Sequence, residues 1–159
     1  MILGVNATRS AIILTQTRGA GRKFVVTAIQ PIPFAVGSGN DLRELQRTLL
    51  ACFAGKGTGK SAAPVIALLK CSSGRFGSCL EAIKGEAIVE LAASVRGLRV
   101  VKVAPQSLKK ALGGGKDQKW RDRAAELFNP RGKRPNWSKG VAGAVAVAFK
   151  VAADGAQLD

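Results

Sequence analysis

The chain has 159 residues, with 25 Lys or Arg against 10 Asp or Glu, no histidine, and a formal net charge of +15. That length is enough for one domain, residues 1–159, with a core of its own. An imbalance of this size repels itself unless a polyanion meets it, so nucleic acid, DNA or RNA, is the expected partner ahead of an acidic protein or an anionic lipid surface. Without histidine, and with Cys52, Cys71 and Cys79 never spaced C-x-x-C, the sequence gives no basis for a zinc knuckle, a disulfide framework or a His-activated nucleophile.

Apolar, β-branched stretches at Met1 to Val5, Ser10 to Thr15 and Phe24 to Ile29, separated by turn residues, predict three antiparallel strands. The period then changes: Leu42, Leu45, Leu49 and Phe53 share one helical face behind Asp41-x-x-Glu44, read as an aspartate-headed capping box, and Gly55 is placed to end the helix. Pro64 to Leu69 is a continuous apolar run, as expected of a strand covered on both faces. Ser78-x-x-Glu81 reads as a capping box for a second helix, with a predicted buried stripe of Leu80, Ile83, Ala87, Leu91 and Val95 and with Glu86 and Glu90 facing solvent. Gly85 interrupts that helix, either at a cost or to let it lie close to a sheet.

A fifth strand is predicted at Arg99 to Val103, and helices at Pro105 to Leu112, Lys116 to Phe128 and Ser138 to Ala153. The order βββαβαβααα predicts an α/β fold, a five-stranded mixed sheet with helices on both faces. No apolar run approaches 18 residues and the start carries no leader pattern, so the expected place is the cytoplasm, away from membranes.

Three short motifs carry less than they promise. Ala54-Gly55-Lys56-Gly57-Thr58-Gly59-Lys60-Ser61 fits a permissive P-loop pattern, but it leaves a helix and enters a strand, the reverse of the order that holds a phosphate. Cys71, Ser72 and Ser73 have no histidine to activate them, and Cys71 reads as a small buried hydrophobe. Ser107-x-x-Lys110 has the spacing of a Ser/Lys dyad, but a serine there also serves a helix start.

The basic region is more informative. From Pro105 to Gly140 there are ten Lys or Arg against three acids, with Trp120 and Trp137 among them. On a helix starting at Lys116, the positions Lys116, Lys119 and Arg123 share one face and Trp120, Ala124 and Leu127 another. Gly113-Gly114-Gly115 ahead of it allows backbone N–H groups to face an anion. Trp137, next to Arg131, Lys133 and Arg134, is a candidate to stack a base or to anchor its loop.

In this order, Ile2-Leu3-Gly4-Val5-Asn6, Val65 to Lys70, Lys84-Gly85-Glu86-Ala87-Ile88-Val89, Val103-Ala104-Pro105 through Lys110, Gly113 to Lys119, and Val141 to Ala148 resemble the RuvC-type resolvases and, more widely, the ribonuclease H-like superfamily. The resemblance covers most of the chain outside residues 29–63. Lys70-x-x-x-Gly74-Arg75-Phe76-Gly77 is also similar to an uncharacterised bacterial branch in which a lysine ends the same strand. The resemblance implies a ribonuclease H-like fold, a dimer, and a two-magnesium site built from carboxylates. The matching positions here are Asn6, Lys70, Gly140 and Gly143, and none is an acid. Magnesium needs carboxylate oxygens, and Lys70 sets a positive charge where the cation would sit.

The expectation is therefore a nucleic-acid-binding domain without cleavage, cofactor or metal, touching phosphates through Lys70, Arg75, Lys109, Lys110, Lys116, Lys119, Arg123, Arg131, Lys133, Arg134 and Trp137. The alternatives are a structural subunit of a protein or ribonucleoprotein assembly, and a divergent metal-dependent nuclease.

Overall fold

The computed structural model describes residues 1–54, 63–71, 79–132, 134 and 137–155. Strands β1 (Ile2–Ala7), β2 (Ala11–Arg18), β3 (Val25–Pro33), β4 (Val65–Leu69) and β5 (Val100–Val103) form one sheet in the order β3-β2-β1-β4-β5. The β1–β2 and β2–β3 pairs are antiparallel, and β1–β4 and β4–β5 are parallel. This is the mixed sheet expected of three hairpin-linked strands followed by two helix-linked ones. Strands β1, β2 and β3 run past their expected ends, to Ala7, Arg18 and Pro33. Thr17 in β2 is buried because its hydroxyl donates to the Ile2 carbonyl at 3.0 Å. Pro31 and Pro33 are tolerated in β3 because it is an edge strand, where a missing N–H can face outward.

Helices α1 (Gly39–Phe53) and α2 (Leu80–Val95) cover one face of the sheet, packing on Leu3, Val5, Ile12, Leu14, Ile66 and Leu68. Helices α3 (Pro105–Leu112), α4 (Trp120–Phe128) and α5 (Lys139–Gly155) cover the other. Strand alternation sends Leu3 and Val5 to the first face and Gly4 and Asn6 to α5. A Cβ on Gly4 would stand 2.0 Å from the Ala144 carbonyl oxygen, so the glycine lets the Ala/Gly-rich α5 lie directly on β1. Among the described residues no helix is long and apolar enough to cross a membrane.

Four sequence expectations are corrected. The α1 capping box is Ser38 with Asp41, three residues earlier than expected: the Ser38 hydroxyl accepts from Asp41 N–H at 3.2 Å and the Asp41 carboxylate from Ser38 N–H at 2.8 Å. Helix α4 begins at Trp120 rather than Lys116, because Gly113 and Gly114 adopt positive φ and Gln118 N–H closes a turn on the Gly115 carbonyl. On α2 the buried face is the reverse of the expected one. Ala82, Gly85, Glu86, Val89, Ala92 and Ala93 face inward, while Leu80, Ile83, Ala87, Leu91 and Val95 are exposed. The cause is close approach: a Cβ on Gly85 would lie 2.9 Å from Ile12 Cδ1 and 3.0 Å from Phe34 Cζ, so only small residues fit beneath the axis. The N-cap of α2 is Cys79, whose thiol donates to Glu81 at 2.8 Å; Ser78 lies outside the described residues.

Candidate nucleic-acid interface

The parallel strands β1, β4 and β5 end on the same edge of the sheet, where open α/β folds place their ligands. Two adjoining pockets open there. One of about 250 Å³ is lined by Asn6, Arg9, Lys70, Cys71, Cys79 and Arg121 among others. Its neighbour, of about 440 Å³, is lined by Asn6, Thr8, Lys119, Arg121, Asp122 and Gly140 among others. Asn6 and Arg121 belong to both. A larger hollow of about 490 Å³ lies at the opposite edge, beside Met1, Thr17 and the end of α5. Its acid, Asp154, already binds Lys150 at 2.8 Å, and none of the sequence-predicted site residues lines it.

The local chain explains how the cationic rim is held. Thr8 closes the β1–β2 turn, donating its hydroxyl to the Ala11 carbonyl at 2.8 Å and accepting Ala11 N–H at 3.1 Å, which sets Arg9 at the tip. Arg9 approaches Glu81 at 3.9 Å with its side chain 84% exposed, a contact too solvated to neutralise it. Lys70 follows β4, its N–H bonded to the Val103 carbonyl, and is exposed. Lys119 caps α4 and Arg121 stands in its first turn. Residues at or next to the N-termini of α2, α3, α4 and α5 (Cys79, Pro105, Lys119 and Gly140) line the pockets, so the positive ends of four helix dipoles add to the side-chain charge.

Asn6 lines both pockets, while Lys70 lines only the smaller and Gly140 only the larger. The Asn6 side-chain amide donates to the Gly140 carbonyl at 2.9 Å. A Cβ on Gly143 would fall 2.6 Å from Asn6 Nδ2 and 3.0 Å from Leu69 Cδ2, and one on Gly140 would fall 3.0 Å from Thr8 Cγ2. The side chain of Asn6 fills the gap between β1 and α5, so a side chain at Gly143 would have to displace Asn6 and Leu69, and one at Gly140 would press on Thr8 and Ile13. The two magnesium ions implied by the resemblance do not fit this donor set. Among the described residues no group of three His, Cys, Asp or Glu could hold a metal.

Asp122 lines the larger pocket, and behind the cleft stands Glu86, which sequence reasoning placed in solvent. It is only 8% exposed, accepts Cys71 N–H at 2.8 Å and pairs with Lys102 at 2.8 Å. Lys102 also binds Glu90 at 2.7 Å. Burial raises the Glu86 pKa, but the hydrogen bonds from Lys102 and Cys71 outweigh it and hold the carboxyl below its ordinary value. Burial and the Glu86 carboxylate push the Cys71 thiol up to about 12, so it remains a thiol at neutral pH. Ser107 donates to the Ala104 carbonyl at 2.8 Å, a bond of the helix start.

The remaining predicted residues divide. Lys109, Lys110 and Lys116 are exposed beyond the pockets, with Lys109 donating to the Lys116 carbonyl. Arg123 is half-buried and pairs with Glu126 at 3.1 Å. The Arg134 guanidinium donates to the Phe128 carbonyl at 2.6 Å and the Val26 carbonyl at 3.2 Å. Trp137 is half-buried against both clusters beneath α5, which is the anchoring alternative for that side chain. Arg131 falls in the short turn Pro130–Gly132, while Arg75, Lys133 and the P-loop-like segment beyond Ala54 lie outside the described residues. Arg9 and Arg121 were missed. Their signal was position, in the turn after the first strand and in the first turn of a helix beginning at Trp120.

Comparison with solved structures agrees with this architecture. The chain matches Thermus thermophilus RuvC in complex with a Holliday junction substrate with a TM-score of 0.74 at 14% identity, covering 98% of this chain and 94% of that one. A second Thermus thermophilus RuvC structure matches with a TM-score of 0.65 at 14% identity, covering 94% and 90%. No family model and no curated protein matches the sequence. The fold is that of RuvC, a ribonuclease H-like α/β fold with a mixed five-stranded sheet.

Proposed function

We propose that this chain, with the fold of RuvC, is a nucleic-acid-binding domain that meets the phosphate backbone in its strand-end cleft and does not cut it. The observation that carries the reading is the pair of adjoining pockets: they are rimmed by Arg9, Lys70, Lys119 and Arg121, and their floor is an amide packed against glycine. The fold's strand-end crevice here presents four cationic side chains against one carboxylate, Asp122, together with helix N-termini, a setting for anionic oxygen. That Thermus thermophilus RuvC was solved with a Holliday junction substrate supports DNA as the class of partner.

Within the reading, Lys70, Lys119, Arg9 and Arg121 form the inner contacts and Lys109, Lys110 and Lys116 extend them along the backbone. Arg75, Arg131 and Lys133 stay in the proposed outer set. Arg123, Arg134 and Trp137 leave it, because their polar groups or rings are engaged within the protein. Backbone contacts position a ligand and read no bases, so recognition rests on shape. A reducing, cytoplasmic setting suits three cysteines that are all free.

A salt titration in EDTA tests the proposal. With about five phosphates neutralised, log K against log salt falls with a slope of about −4 to −5 on duplex DNA. Magnesium should neither strengthen binding nor cause cleavage of linear or branched DNA, in the natural chain or in Asn6→Asp. A flat salt response, or metal-dependent cutting, overturns it.

The exposed stripe on α2 favours a protein contact as well, and we propose self-association through it. On its accessible side helix α2 carries Glu81 and Glu90 against Lys84, so two strongly basic copies can approach there without a run of like charge.

A further inference from the structure

We infer that Arg121 is the specificity-determining residue of the cleft, a rigid bridge that takes one phosphate in each of the two adjoining pockets and so selects a strand with neighbouring phosphates over a lone phosphate group. The inference rests on the nucleic-acid reading above and deepens it.

Of the four rim cations, Arg9 and Lys70 line only the smaller pocket and Lys119 only the larger, while Arg121 lines both. Its guanidinium lies over the Trp120 ring at 4.3 Å from the centroid. Trp120 is half-buried against the cluster beneath α3 and α5, so the platform is fixed by the core. A guanidinium held by its face keeps its edges open. It carries five N–H donors in one plane, and two of its edges can each present a pair of parallel N–H bonds to phosphate oxygens. Among the described residues Arg121 makes no hydrogen bond or ion pair, unlike Arg123 two residues later, which is bound to Glu126. The stacking holds the charge in place at little further entropic cost on binding, and the weak hydration of a guanidinium lowers the cost of desolvating it. A lysine at the same place would supply a point charge to one pocket or the other but could not span them.

The experiment uses the full chain and a fluorescein-labelled 20-base-pair duplex in EDTA, read by anisotropy, with two competitors. One is a thymidine dinucleotide carrying a 5′-phosphate, which has two phosphates; the other is thymidine 5′-monophosphate, which has one. For the natural chain the dinucleotide competes at a concentration at least about tenfold lower. Arg121→Lys binds the duplex about tenfold more weakly, with the salt slope unchanged because the charge is kept, and the dinucleotide loses its advantage. Arg121→Ala is weaker still and its slope is shallower by about 0.9. Lys119→Ala loses the same slope increment yet keeps the preference for the dinucleotide. Arg121 is exposed, so unchanged melting temperatures are expected throughout. If Arg121→Lys matches the natural chain, or the two competitors are equal on the natural chain, the bridge is wrong while nucleic-acid binding stands. If the natural chain fails to bind the duplex, both fall.

Discussion

Glu86 shows how one buried charge can hold the cleft from behind. Its carboxylate ties the first residue after Lys70 to α2 through Cys71 N–H and ties β5 to α2 through Lys102. Removing one partner of such a pair leaves the other without compensation, and because Lys102 is partly solvated we expect Glu86→Gln to cost about 2 kcal/mol at pH 7, read by chemical denaturation. The pH dependence has a definite sign. A carboxyl whose folded pKa is depressed contributes stability that is present above its unfolded value, about 4.3, and lost as pH falls through the folded one. Lys102, pushed up to about 12 chiefly by its hydrogen bond to Glu86, contributes stability that is present below its unfolded value of about 10.4 and lost as pH rises through about 12. Glu86→Gln should therefore flatten both the acid limb and the alkaline limb of the melting-temperature profile; limbs as steep as those of the natural chain would show that the pair contributes nothing. The sequence could not reveal this role. A glutamate beside Gly85 is placed in solvent by any helical phase drawn through the large residues, and its partner Lys102 lies on another strand.

That same phase governs what the element α2 can do. Reading the sequence, Leu80, Ile83, Leu91 and Val95 look like a core stripe because large apolar residues usually go inside. In the fold they are exposed by 44–61%, since the face turned to the sheet is made of Ala, Gly and Val with Glu86 among them. Most elements were legible: five strands in order, α3 to its ends, α5 to within a few residues, each from local period and turn chemistry. What was not legible depended on distance of approach, which no single helix records. The α4 start was lost in a similar way, to a turn among glycines that helical propensity alone does not see. An apolar stripe facing outward on a helix calls for a partner, and a second copy supplies an identical helix with the same stripe. We expect a dimer by sedimentation at micromolar concentration and a monomer for Leu91→Glu, with unchanged melting of the monomer because Leu91 is exposed. A natural chain that sediments as a monomer at every concentration would refute the pairing.

For the whole molecule, the question is whether a net charge of +15 acts as a diffuse field or through one cleft. Composition alone cannot separate these, and it was the strongest signal the sequence offered for a partner. The fold separates them by placing charges on different sides: Arg43 and Arg47 are exposed on α1, on the far face of the sheet from α5, while Lys70 and Lys119 stand at the strand ends. Reversing either pair to glutamate removes the same amount of charge. A diffuse field makes the two double variants equally weak at every ionic strength. A cleft makes them differ by the screening length, which is about 8 Å at 0.15 M salt and about 30 Å at 0.01 M. At 0.15 M we expect Lys70→Glu with Lys119→Glu to lose about a hundredfold in duplex affinity and Arg43→Glu with Arg47→Glu to lose less than about threefold. At 0.01 M the second loss should grow toward the first, because charges on the far face then reach the ligand. Glutamate at position 119 sits at the start of α4, where a negative charge favours the helix dipole, so weaker binding there reports the cleft and not a melted helix. Equal losses at 0.15 M would make the protein a nonspecific polycation and remove the reason to assign its binding to the strand-end pockets.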